Sequence, residues 1–114
     1  MENELLRISK LVSNELHIKT KKWLDYFQKK KIPFPDCIAV IDSKELTLEW
    51  NRKTFTIYVD LSIKSTIVEC CVHCVRCVRF EKNLHDEKIF KNEDISILYR
   101  KVGFWINTMF EKYK

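Results

Sequence analysis

The chain has 114 residues, 46% of them hydrophobic and 12% aromatic, which is enough for one packed core and too little for two. Its net charge of +5, from 21 basic and 16 acidic side chains, can attract nucleic acid, anionic lipid or an acidic protein and does not choose among them. No window approaches the roughly 18 consecutive apolar residues of a membrane span, the opening Met-Glu-Asn-Glu lacks the layout of a secretion signal, and an odd number of cysteines fits reduced thiols better than a disulfide framework. The expectation is therefore a single cytoplasmic α+β domain over residues 1–114, without a membrane partner.

From Glu2 to Lys30 the apolar residues Leu5, Ile8, Val12, Leu16, Trp23 and Phe27 recur every three or four positions, so this stretch reads as an amphipathic helix. Unbroken, it would be about 40 Å long at a rise of about 1.5 Å per residue, long for so small a domain. The alternative is a helix pair broken near His17 to Thr20, with Thr20 as the second cap. Residues 1–31 carry eight Lys or Arg against four Asp or Glu, concentrated at Lys19, Lys21, Lys22 and at Lys29, Lys30, Lys31. These lysines form either a solvated helix face or a basic contact surface. Trp23 falls on the apolar stripe and is assigned to the core.

Ile32-Pro33-Phe34-Pro35-Asp36 stops the helix, since proline lacks an amide donor and pushes its predecessor toward extended geometry. Cys37 to Ile41 is then a short apolar strand, and Asp42-Ser43-Lys44 a polar turn. Leu46, Leu48 and Trp50 alternate with Thr47, Glu49 and Asn51. Phe55, Ile57, Val59 and Leu61 alternate with Thr54, Thr56, Tyr58 and Asp60. The tight link Asn51-Arg52-Lys53 makes these two runs an antiparallel hairpin. A fourth strand is predicted over residues 66–80, with Val68, Cys70, Val72, Cys74, Val78 and Phe80 on one face and Glu69, Cys71, His73, Val75, Cys77 and Arg79 on the other. Arg76 falls on the apolar side and marks a bend.

Residues 81–92 are charged and loop-like, with Leu84, Ile89 and Phe90 as anchors. Asn92 then caps a C-terminal helix whose inward positions are Leu98, Val102, Trp105 or Ile106, and Met109. The predicted fold is an N-terminal helix or helix pair, a four-stranded antiparallel meander and a C-terminal helix on the same sheet face.

Cys70, Cys71, Cys74 and Cys77 are the densest concentration of reactive groups. Cys71-x2-Cys74-x2-Cys77 resembles the first three ligands of a bacterial ferredoxin run, but Glu81 and Lys82 stand where that pattern has its fourth cysteine and proline. On a flat strand Cys71 and Cys77 point one way and Cys74 the other, so the thiols are read as packing residues and no cofactor is expected. A zinc or iron-sulfur site made of these four cysteines is the alternative. Cys71 with His73, and His85 with Asp86, are the only local pieces of a nucleophile and base. With Gly103 as the single glycine there is no oxyanion or phosphate loop, so no enzyme is expected.

The functional expectation is a small binding protein, an inhibitor or adaptor of a larger macromolecular machine. The near absence of Gly and Ala beside sixteen lysines and twelve isoleucines reflects AT-rich coding, which suggests the phage or mobile-element anti-defence class. The contact residues would be Lys19, Lys21, Lys22, Lys29, Lys30, Tyr58, His73 and Arg79, and the partner a protein. The alternative partner is single-stranded nucleic acid stacked on the open sheet face. Pairing of the long last strand with its symmetry mate would make a homodimer.

Overall fold

The computed structural model describes residues 1–63, 66–74 and 86–114. Among them the order is α1 (Glu2–Ser9), α2 (Asn14–Lys29), β1 (Cys37–Asp42), β2 (Glu45–Asn51), β3 (Phe55–Ser62), β4 (Ile67–Cys74), β5 (Asp86–Lys91) and α3 (Ile95–Lys112). The fold is α+β, and its sheet is an antiparallel meander with the strands side by side in chain order.

The first apolar stripe belongs to two helices, broken earlier than the sequence suggests. Ser13, not Thr20, is the cap. Its backbone is extended, its hydroxyl accepts from the Leu16 N–H at 3.2 Å, and its own N–H donates to the Ser43 carbonyl at 2.8 Å. The break is thus tied to the β1–β2 turn, a tertiary cause that periodicity does not carry. Thr20 is buried inside α2, where its hydroxyl donates to the Leu16 carbonyl at 2.8 Å and so meets its own polar need.

α2 also ends before the prolines. Lys31 adopts φ 58°, its N–H donates to the Gln28 carbonyl, and the Ile32 N–H reaches back to the Phe27 carbonyl at 2.9 Å. This is a Schellman ending, with Ile32 and Phe27 as its apolar pair. Left-handed geometry costs a lysine roughly 1–2 kcal/mol, which is why a sequence without glycine here gives no warning.

Register places the apolar residues of the strands in rows. Leu46 faces Leu61, Leu48 faces Val59, and Trp50 faces Ile57, while Ile57 and Val59 in turn face Val72 and Cys70. All eight of these positions, and Val68, are buried. They form one cluster with Ile8, Leu16, Trp23 and Phe27 of the first two helices and Leu98, Val102, Ile106 and Met109 of α3. Phe27 meets Trp50 edge-on at 5.6 Å, and Phe110 meets Phe55 at 6.0 Å. The Trp50 indole N–H donates to the Pro33 carbonyl at 2.7 Å, which fixes its inward orientation. Gly103 lets α2 and α3 approach closely, since a Cβ there would lie 2.9 Å from Ile32 Cδ1 and 3.1 Å from Tyr26 Cε2.

The four-strand expectation is corrected by β5. Residues 86–91 pair with β4 from Val72↔Asp86 to Ile67↔Lys91, where the sequence reads as a loop. Only Phe90 is apolar on the inward side and Ile89 on the outward side, so the strand has no hydrophobic alternation to recognise. Backbone pairing with β4 holds it. It also occupies the edge that the predicted homodimer would have used, so the free edges are β1 and β5. β5 is short and carries Glu87, Lys88 and Lys91, features that discourage pairing with another chain. α3 is capped by Asp94, whose carboxylate accepts from the Ser96 N–H at 2.9 Å. Asn92 takes the supporting role, accepting from the Asp94 N–H. No described helix is long and apolar enough to cross a membrane.

Candidate functional site

Strand alternation sends every second residue of the sheet to the face opposite the core. Across that outer face the register builds two long rows. One runs Ala39, Thr47, Asp60, Glu69, Ile89, and the other Cys37, Glu49, Tyr58, Cys71, Glu87. Asn51, Thr56 and His73 make a third row, and Glu45 faces Ser62 beyond the first. Five carboxylates, Glu45, Glu49, Asp60, Glu69 and Glu87, thus share one face. Lys91 is the sole lysine or arginine at an outward strand position among the described residues.

Asp60 and Glu69 stand directly opposite each other on adjacent strands, a placement that costs stability between like charges. Neither makes an ion pair among the described residues; Asp60 instead accepts a hydrogen bond from the nearly buried Thr47 hydroxyl at 2.6 Å. Asp60 and Glu69 line two shallow depressions of about 200 and 220 Å³, the first completed by Glu45, Leu61, Ser62 and Ile67, the second by Cys70, Cys71, Glu87, Ile89 and one cation, Lys88. The site is suited to receive cationic side chains.

Burial first, and the carboxylates second, govern the thiols. Burial, then Asp60, Glu87 and Glu69, push the Cys71 thiol up to about 11. Cys37 is likewise pushed up to about 11 by burial and by Glu49, to whose carboxylate its S–H donates at 2.7 Å. Cys70 is buried on the core side, and its thiol is raised further, chiefly by burial. Thiolate is the metal ligand and the nucleophile, so these environments oppose both chemistries at neutral pH. Cys70 and Cys71 point to opposite faces, as adjacent strand residues must, and Cys74 lies on the core side opposite Phe55. No group of three or more metal-binding side chains occurs among the described residues. Cys77 and Arg79 lie outside the described residues, as do the predicted strand positions 75–80, His85 and Leu84.

Tyr58 and His73 do come together, their rings edge-on at 5.4 Å. Tyr58 is half-buried, and burial followed by Glu49 and Cys71 holds its hydroxyl above its ordinary range. Nucleic acid on this face would bring phosphates against Glu49, Asp60 and Glu69, which weighs against the stacking alternative.

The predicted lysines separate from this surface and from one another. Lys21, Lys22, Lys29 and Lys30 are exposed on α2 and its end. Lys19 is half-buried, its ammonium donates to the Ser62 carbonyl at 2.6 Å, and burial lowers it to about 8 against the pull of Glu15. It is a brace between α2 and the end of β3.

The carboxylate face was missed at the level of sequence because no motif marks it. Its signal is distributed, one acid at an outward position on each of several strands, and it becomes a cluster only when register aligns them. No protein-family model, curated protein or solved structure matches this chain.

Proposed function

We propose that the protein is a non-enzymatic binding module that engages the basic surface of a larger protein through its outer sheet face, as an inhibitor or adaptor. The observation that carries this reading is the Asp60 and Glu69 pair, set face to face within a five-carboxylate surface on a rigid five-stranded platform. Like charges held together cost the fold something, and a partner's arginine or lysine entering either depression would offset that cost while gaining a charge-assisted hydrogen bond. Tyr58 in the next row and His73 in the one beyond supply the aromatic and polar contacts typical of an interface. The exposed lysines of α2 give a second, oppositely charged surface away from the first.

Support for a protein partner comes from the sign of this face. A basic protein surface fits it; a phosphate backbone does not. The thiols support the non-enzymatic reading, because Cys71 beside His73 sits among carboxylates that keep it protonated.

The test is amide chemical-shift mapping during titration with an arginine-rich peptide and, separately, with oligothymidylate. The peptide should shift outward residues of β2, β3 and β4, centred on Asp60 and Glu69, and the effect should fade with added salt. Shifts confined to the helices, or a sheet face that responds only to the oligonucleotide, would overturn the reading.

A further inference from the structure

We propose that a groove between β5 and α3 docks an acidic amphipathic segment of a partner protein, an apolar side chain entering the groove and flanking carboxylates meeting its rim. The groove encloses about 410 Å³. Its walls are Phe90 from the inward side of β5 and Phe104 and Trp105 from α3, and its rim is Lys88, Arg100 and Lys101. This inference does not rest on the outer-face reading: the groove is built from α3 and β5, and Lys88 is the one residue that also borders an outer-face depression.

The groove follows from how α3 meets the sheet. Helical spacing puts Arg100 with Phe104 and Lys101 with Trp105, each pair four residues apart and so on adjoining turns of one side of α3. Trp105 turns down into the core and is only 9% exposed, whereas Phe104 is 75% exposed, the largest value for a big apolar side chain among the described residues. Burying Phe104 would gain hydrophobic free energy that the folded monomer leaves unrealised. Phe90, beside it, is only partly buried.

Charge decides the occupant. Lys88, Arg100 and Lys101 make no ion pair among the described residues, and no carboxylate lines the groove. The Lys88 ammonium stands over the Phe90 ring, 6.0 Å from its centre, at the outer limit of a cation–π contact. A cationic or neutral segment would leave these three charges crowded; an acidic one neutralises them. The one hydroxyl at the edge, Thr108, donates back to the Phe104 carbonyl at 2.8 Å, so the polar groups left for a ligand are the three cations. Two cations on α3, a third on β5 and one open aromatic match a short peptide segment better than the extended track of stacking rings that single strands use. Amphipathic peptides dock in this manner, apolar anchors in a groove and charge at its border.

The experiment selects a displayed library of random peptides on the intact protein, then measures affinity of one enriched, fluorescein-labelled peptide. Enriched sequences should pair Asp or Glu with Phe, Trp or Leu. Phe104→Ala and, separately, Arg100→Glu with Lys101→Glu should each weaken the labelled peptide at least tenfold while leaving the melting temperature of the exposed-site variant Phe104→Ala within a few degrees. Enrichment of basic peptides, no enrichment, or affinity indifferent to both variants would overturn the proposal. Tighter binding of oligothymidylate or of phosphatidylserine vesicles that is lost in the same variants would overturn it in favour of nucleic acid or a lipid surface.

Discussion

Along β2, Leu46, Leu48 and Trp50 have no measurable exposure, while Glu45, Glu49 and Asn51, each one position away, face outward. The same backbone, hydrogen-bonded in the same ladders, therefore carries two surfaces under different rules. Inward residues are fixed by the free energy of burial, and few alternatives would fold. Outward residues are not needed for the core, and there the chain places opposed carboxylates, a Tyr and His pair and half-buried thiols. Features that folding does not require, and in the case of Asp60 and Glu69 disfavours, are where function is best sought.

The sharpest contrast is between chain neighbours. Leu48→Ala should destabilise by about 2–5 kcal/mol in chemical denaturation, from lost transfer energy and a cavity, whereas Glu49→Ala should stay within about 0.5 kcal/mol. Comparable losses at both positions would erase the distinction between the faces. Thr47 is the outward exception, nearly buried and bonded to Asp60, so Thr47→Ala should cost about 1 kcal/mol, more than Thr56→Ala beside it. Of the adjacent thiols, Cys70→Ala should cost more than Cys71→Ala by about 1 kcal/mol, since only the first fills core space.

A contrast of another kind is the response to alkali, to which the core thiol Cys70 also contributes. Cys37 and Cys71 are raised in the folded state from 9.0 to about 11, so the native protein holds more protons in this window. The stability that these thiols confer is complete below pH 9 and is lost as pH rises toward 11. Lys19 works in the opposite sense: lowered from 10.5 to about 8, it relieves a penalty as pH climbs through that range. Denaturation midpoints should therefore fall from pH 9 to pH 11, less steeply in Cys71→Ser and more steeply in Lys19→Met. A flat profile in all three would remove the electrostatic account of the thiols.

Much of the architecture was legible because burial imposes periodicity. The outward and inward assignments of Thr47 to Trp50, of Phe55 to Leu61 and of Val68 to His73 follow directly from alternation, and the hairpin at Asn51 to Lys53 from its polar link. What escaped had causes outside any local window. The α1–α2 break depends on Ser13 bonding to Ser43, thirty positions away in sequence. The end of α2 uses a lysine where glycine is the usual mark. β5 contains one inward apolar residue and is held by pairing with β4 and by Lys112 and Tyr113 bonding to Asp86, so its sequence looks like a charged loop. The carboxylate face needed register between strands, and the β5–α3 groove needed β5 itself. Lys19 was legible as a cation but not as a brace, because its acceptor is a backbone carbonyl.

The most direct test joins both halves of the comparison in one sample: Asp60→Asn with Glu69→Gln, followed by thermal unfolding and by titration with the arginine-rich peptide. Removing the opposed charges keeps the Thr47 acceptor and should leave the melting temperature unchanged or higher, by about 0.2–1 kcal/mol in stability. Peptide affinity should fall about tenfold, near 1.4 kcal/mol. A lower melting temperature with undiminished affinity would make this pair part of the scaffold and contradict the assignment of the outer face to binding.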